Sequence, residues 1–409
     1  MNTLLKDRRL ILIVLANFVS SIGSGVTSIG ASWLLVNREN GEYILGYTML
    51  GITILLFVLN PYIGIVIDRF SRKKVYLFNQ VLGLTIVGSV TLWGMIADQY
   101  HAWQLITFMF SFSLYFSLHY PTLLAIVQEM FSRSSYRSLN GILEIESQSA
   151  SAVAGGIAGI LLGIIDYDYI FLFDTFTFVF SFVFISFIPY QKRYEIQNKR
   201  VTIISDIYEG LQFLKGKLLL VVLLLGTLMP FICVTVYNYV KPVYIASTIE
   251  ENVSAFGLSE MFYAIGAILA GLIIPMLGKR IGYFGTITIM MTVFTVFLVT
   301  MAEIPLLIVF LSVTLLAGLG NAGTRIMRRT IMMELVPNDI IGRVNSFFKG
   351  IELMIRIGLL VIFVQFMSGT GAITALMVMS ALMIVALIGV LVNKNIITQA
   401  EKGSLQRTG

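Results

Sequence analysis

Twelve apolar runs of 20 residues or more, separated by short charged or turn-rich breaks, constrain this chain more than any other feature. A helix needs about 20 apolar residues to cross the hydrocarbon core of a bilayer, and every run meets that length. Spans are predicted at 10–36, 44–67, 75–97, 103–127, 139–165, 169–189, 218–245, 256–277, 283–302, 306–327, 344–367 and 372–393. Composition agrees, since 57% of residues are hydrophobic and only 12% are Asp, Glu, Lys or Arg, against about 25% charged in soluble domains. So few charged side chains cannot cover a water-facing surface, which excludes a soluble globule. The expected fold class is an all-α polytopic membrane protein whose solvent is the lipid bilayer.

Other classes fall away quickly. The single cysteine, Cys233, rules out an intramolecular disulfide, and with only His101 and His119 beside it no Cys/His zinc cluster can form. The net charge of +6 would suggest nucleic acid in a soluble protein. Here the cations sit in short loops, as membrane topology requires, and no nucleic-acid partner is expected. No Gly-x4-Gly-Lys-Ser/Thr loop is present, so ATP-driven work within the chain is excluded and no cofactor is expected. The first run is too long for a signal peptide and more follow, so an uncleaved first span is expected.

The stretch 191–217 is the only long polar one, with Lys192, Arg193, Lys199, Arg200, Lys215 and Lys217 among its residues. It divides the chain into a six-helix bundle over 1–190, a linker over 191–217, a second six-helix bundle over 218–393 and a tail over 394–409. Placing both termini in the cytoplasm puts 24 of the 28 basic residues on that side. Translocated loops disfavour Lys and Arg, so this orientation in the plasma membrane is the expected one.

The halves repeat. Gly64-Ile-Val-Ile-Asp68-Arg69-Phe70-Ser71-Arg72-Lys73 returns 207 residues later as Gly271-Leu-Ile-Ile-Pro275-Met276-Leu277-Gly278-Lys279-Arg280. Glu129-Met130-Phe131 with Leu139-Asn140 returns 205 residues later as Glu334-Leu335-Val336 with Val344-Asn345. Each match falls on the same side of the membrane in its half, so the halves are parallel repeats with a site expected at their interface.

The loop Gly64-x-x-x-Asp68-Arg69-x-x-Arg72-Lys73-Lys74 resembles the signature loop of the major facilitator superfamily. That resemblance implies twelve transmembrane helices in two six-helix pseudo-repeats and a gating role for Gly64, Asp68, Arg69, Arg72 and Lys73. Asn17-Phe18-Val19-Ser20-Ser21-Ile22-Gly23, Trp33-Leu34, Asn60-Pro61-Tyr62-Ile63-Gly64, Asn140-Gly141 and Leu172-Phe173-Asp174-Thr175-Phe176 are similar to the bacterial group containing macrolide-efflux and enterobactin-exporter proteins. In such a group they imply efflux driven by proton exchange. Drug antiporters usually carry a Gly-Pro pair in the fifth span, where this chain reads Ala154-Gly155-Gly156-Ile157-Ala158-Gly159.

Polar residues inside spans mark candidate sites, because a charge at mid-helix costs about 2.5 to 3.5 kcal/mol on insertion scales unless it faces protein or water. In the first span Asn17, Ser21, Ser24, Ser28 and Ser32 share a face, lining either a cavity or a tight helix contact. Gly155, Gly159 and Gly163 in the fifth span read as a packing face. Glu144 and Glu146 lie about 200° apart around that helix. Glu144 shares its face with Ser147, Gln148 and Ser151 and is preferred for the cavity, with an interfacial carboxylate as the alternative. Asp174 suits proton carriage or pairing near a helix N-terminus. Tyr115, His119 and Thr122 align in the fourth span, where His119 is either a hydrogen-bonded packing residue or a proton carrier.

The second half offers Asn238 and Lys241 after Pro230, and Asn321 and Arg325 on one face of the tenth span. Lys349, Glu352 and Arg356 follow in the eleventh, where the spacing of Glu352 and Arg356 predicts mutual neutralisation. Arg325 has no acid three or four positions away and is the expected contact for an anionic group. Embedded charges are thus mostly acidic in the first half and basic in the second. The function expected is a monomeric secondary transporter exporting a small amphiphilic organic molecule in exchange for protons. A lipid or lysophospholipid flippase on the same fold is the alternative, and a polytopic membrane enzyme a minor one.

Overall fold

The computed structural model describes residues 6–132, 135–190, 211–336, 340–367 and 371–398. Most of the expected linker, most of the tail and the side chain of Asp68 lie outside the described residues. Among those described there is no strand. The helices are α1 (Arg8–Val36), α2 (Gly41–Arg69), α3 (Arg72–Ala97), α4 (Ala102–Met130), α5 (Tyr136–Leu161) and α6 (Tyr167–Ser186). They continue with α7 (Leu218–Gly226), α8 (Met229–Tyr244), α9 (Val253–Glu303), α10 (Leu307–Leu335), α11 (Ile341–Val364) and α12 (Gly371–Val392).

Nine of the described stretches are long and apolar enough to cross a membrane, with α7, α8 and the π-helical turn Ile245–Ile249 forming one of them. The stretch Val253–Glu303 is two helices in one, because Gly282 breaks it at φ 76°. Ile274 and Met290 lie on either side of that break. A Cβ added to Gly323 would nevertheless meet Ile274 Cδ1 at 3.0 Å and Met290 Sδ at 2.6 Å. A straight helix would hold residues 274 and 290 about 24 Å apart, so the chain turns back at Gly282. Counting α9 twice and adding α5 and α11, whose polar residues lower their hydropathy, is consistent with twelve spans.

Two compact units emerge. The first holds α1 to α6 together with Glu251–Met261, and the second holds α7, α8, the remainder of α9 and α10 to α12. In the first, α1 is central and packs on α4, α5 and α6. Its neighbours bury Tyr76, Phe108, Phe171 and Phe178 almost completely. In the second unit α8 touches α10, α11 and α12.

Local chemistry sets the helix ends. Asp7 caps α1 by accepting from Arg9 N at 2.9 Å, and the hydrogen bond from the Arg9 side chain holds its carboxyl below the usual carboxylate range. The glycine face of α5 is a close helix contact. A Cβ on Gly159 would stand 3.0 Å from Leu258 N, and one on Gly155 would stand 2.6 Å from Met261 N. On α2, by contrast, Ile54, Phe57, Tyr62 and Ile65 are exposed, an apolar surface suited to lipid.

Candidate functional site

The interior of the first unit is polar where α1, α3, α4 and α5 meet. The buried polar residues of α1 are Asn17, Ser20, Ser24, Thr27 and Ser32, while Ser21 is half-buried. Tyr76 OH donates to Asn17 Oδ1. Ser20 Oγ lies 2.7 Å from Tyr115 OH, which lies 3.1 Å from His119 Nδ1. The Tyr115 and His119 rings stack at 5.1 Å, and the Tyr76 ring lies 5.6 Å from His119. His119 thus has the hydrogen-bonded place that was one of its two readings.

Glu146 turns into this network. Glu146 is 7% exposed. Glu146 Oε1, Asn17 Nδ2, Asn79 Oδ1, Gln80 Oε1 and Thr122 Oγ1 are buried without a hydrogen-bond partner among the described residues. Each such atom costs roughly 1–3 kcal/mol if left without a partner.

A second buried acid lies further along α1. Asp174 accepts from Ser24 Oγ at 3.3 Å and Thr177 Oγ1 at 3.2 Å. Gly23 makes the approach possible, since a Cβ there would stand 2.6 Å from Asp174 Oδ1. The partners of Asp174 are these hydroxyls, two turns inside α6, rather than the helix N-terminus.

Glu144 is exposed, with Gln148 Nε2 3.4 Å from its Oε1. Tyr120 OH lies 3.4 Å from Ser147 Oγ on the same side of α5. The sequence preference for Glu144 rested on these polar neighbours. The face of α5 packed inside the first unit carries Glu146, Ala150, Ala154 and Ala158, and Glu144 lies on its exposed side.

In the signature loop, Arg69 is exposed and nothing lies within 4 Å of a Cβ placed on Gly64. Arg72 Nη1 pairs with Glu129 Oε1 at 2.9 Å and donates to the carbonyl of Ala125 at 2.9 Å. Lys73 Nζ donates to the carbonyls of Ser186 and Ile188, both at 2.8 Å. Tyr190 OH donates to Glu129 Oε2. Burial, and then this bond to the carboxylate, push the Tyr190 hydroxyl up to about 12. Glu129 was visible in the sequence only as a mark of the repeat.

In the second unit Asn321 Nδ2 donates to Tyr263 OH at 2.6 Å. Lys241 is buried, 5.6 Å from the Tyr237 ring, while Asn238 is exposed and Arg325 half-buried. The predicted neutralisation of Glu352 by Arg356 is corrected. Glu352 pairs with Lys349, whose Nζ donates to both carboxylate oxygens at 2.9 and 2.7 Å. The i,i+3 partner has the shorter reach and takes both lone-pair directions.

Comparison with known proteins decides the family. The Major Facilitator Superfamily profile matches residues 13–352. The chain belongs to the Major Facilitator Superfamily. It is 20% identical over 263 residues to macrolide efflux protein A of Streptococcus pyogenes, and the match covers 64% of each chain. Among solved structures it is similar to a bacterial homologue of the iron transporter ferroportin in an inward-facing state, with TM-score 0.66, 15% identity and coverage of 96% and 98%. A bacterial homologue of the lysosomal transporter Spinster gives 0.63, 13% and coverage of 98% and 98%. The nucleoside transporter NupG gives 0.62, 15% and coverage of 95% and 99%.

At these identities the structural likeness shows the fold alone. As a superfamily member the chain is a multi-pass membrane transporter rather than an enzyme. The spacing that flagged Asn17, Tyr115, His119 and Asp174 brought four residues into the interior of one unit. It missed Tyr76, Gln80 and Glu146. The available signal was the four-residue step from Glu146 through Ala150, Ala154 and Ala158.

Proposed function

We propose that this transporter exports a small amphiphilic organic molecule in exchange for protons, with Glu146 as the proton-carrying group. The supporting observation is a buried carboxyl beside Asn17, in a core of tyrosine hydroxyls and amides, with no cation within ion-pair distance among the described residues. Nothing there holds the acid permanently in one form, so it can take up and release a proton as access to water alternates. The weak relation to a macrolide efflux protein favours export. The distribution of basic residues favours cytoplasmic termini, so a proton entering from outside would drive substrate out.

The test uses proteoliposomes with an imposed pH gradient and a macrolide, a catecholate siderophore and a lysophospholipid as probes. Glu146→Gln should abolish uphill accumulation while downhill exchange persists, whereas Glu144→Gln should keep gradient-driven transport. Uphill transport with unchanged pH dependence in Glu146→Gln overturns the assignment. Movement of lysophospholipid alone, indifferent to the gradient, would favour the flippase reading.

A further inference from the structure

The second unit concentrates positive charge between α10 and α11. Arg325, Arg328, Arg329 and Glu334 lie on α10, and Lys349, Glu352 and Arg356 on α11. Glu352 is the acid that both Arg328 and Arg356 feel, but its two oxygens are engaged by Lys349. Arg328 lies 5.9 Å from the centre of the Phe348 ring, so an aromatic neighbour meets part of the guanidinium. Its Nε and Nη2, and Nε of Arg356, are buried without a hydrogen-bond partner among the described residues.

A guanidinium with buried, unmated N–H groups is expensive, and its planar fork matches one kind of partner well. We propose that Arg328 and Arg356 form a binding site in the second unit for an oxyanion, the carboxylate or phosphate group of an amphiphilic ligand. Such a group supplies acceptors for the three unmated N–H groups and the negative charge that Glu352, already paired with Lys349, does not provide. This inference rests on the transporter reading and adds to it the chemical class of the cargo's polar end. Proton coupling is not needed for it. The same chemistry is offered by a free amphiphile and by an anionic lipid headgroup.

Binding can be read in the full chain without transport. Cys233 is the only cysteine, and it is buried in α8 of the same unit, so a thiol-reactive dye reports thermal unfolding there. The probes are octyl phosphate and inorganic phosphate in detergent, with octyltrimethylammonium and matched chloride as controls. Phosphatidylcholine nanodiscs with and without phosphatidylglycerol form the lipid arm.

Phosphate probes should raise the wild-type midpoint saturably while the cationic amphiphile does not. Arg328→Gln and Arg356→Gln should each weaken the apparent Kd on the order of tenfold, the loss of a charge-assisted bond. Arg328→Lys, which keeps charge but not the fork, should fall between. A response to octyl phosphate assigns the site to a free amphiphile. One confined to phosphatidylglycerol assigns it to a headgroup, and both uphold oxyanion binding.

No saturable shift in the wild type with any phosphate probe overturns the site. So does a wild-type Kd in the folded double glutamine variant. Should that variant not fold, an unchanged Kd in both Arg328→Lys and Arg356→Lys overturns the site equally. Failure of proton coupling is read separately through Glu146→Gln and leaves the midpoint shift in place.

Discussion

Arg72 and Glu129 form an ion pair at 2.9 Å in which the carboxylate side chain is 3% exposed, joining the first turn of α3 to the last turn of α4. Removing one member of a buried pair leaves the other charge uncompensated, typically at a cost of about 3–5 kcal/mol. Glu129→Ala should therefore destabilise the first unit more than the double variant Arg72→Ala/Glu129→Ala does. Trp33, Trp93 and Trp103 are the chain's only tryptophans and all belong to that unit, so their fluorescence on heating measures it. Equal midpoints for the single and double variants would mean that the pair adds nothing beyond two independent side chains.

Tyr190 shares the same carboxylate and gives the pair a pH dependence. Its hydroxyl is pushed up to about 12 by burial and by Glu129, above the ordinary tyrosine value of about 10. The folded state thus holds this proton more tightly than the unfolded one. The stabilisation is fully present below pH of about 10 and is lost as pH climbs towards 12. Tyr190→Phe should flatten the fall in tryptophan melting midpoint across that window. A slope identical to wild type would place the alkaline loss elsewhere.

Gly23 is predicted to be intolerant of a side chain. A Cβ would stand 2.6 Å from Asp174 Oδ1 and 2.8 Å from Thr177 Cγ2, and overpacking of this kind typically costs about 1–3 kcal/mol. Gly23→Ala should lower the tryptophan midpoint. Asp174→Asn, which keeps an acceptor for Ser24 and Thr177, should retain uphill transport. Loss of coupling in that variant would move the proton site from Glu146 to Asp174.

Orientation is open to direct labelling. With Cys233 buried, new cysteines at Lys199 and Glu251 report alone. An impermeant thiol reagent applied outside intact cells should modify Glu251→Cys and spare Lys199→Cys. The reverse pattern would invert the proposed topology and with it the direction of export.

What could be read from the sequence follows its periodicities. Apolar length located the spans, because lipid imposes it on every crossing helix, and glycine spacing on α5 foretold the contact of Gly155 and Gly159 with the start of α9. Partners across helices were not legible. Nothing in the sequence joins Tyr76 to Asn17 or Arg72 to Glu129, since each pair depends on how separate helices rotate against one another. The choice between Glu144 and Glu146 turned on the same point. Polar neighbours mark one face of α5 and small residues mark the face packed inside the unit, and the comparison of Glu144→Gln with Glu146→Gln reads which of them carries the proton. Spacing pointed Glu352 to Arg356, while the side chain that reaches both its oxygens is Lys349.

The turn at Gly282 also bears on how the chain enters the membrane. As one continuous helix, the 51 residues of α9 would extend about 76 Å, more than twice the roughly 30 Å hydrocarbon core. With a left-handed glycine at the fold, the nascent chain can leave the translocon as a hairpin whose two arms enter the bilayer together. A residue with a Cβ at 282 is strained at φ 76°. Substitution there should therefore appear first as poor insertion and rapid degradation during synthesis, before any defect in the mature protein could be measured.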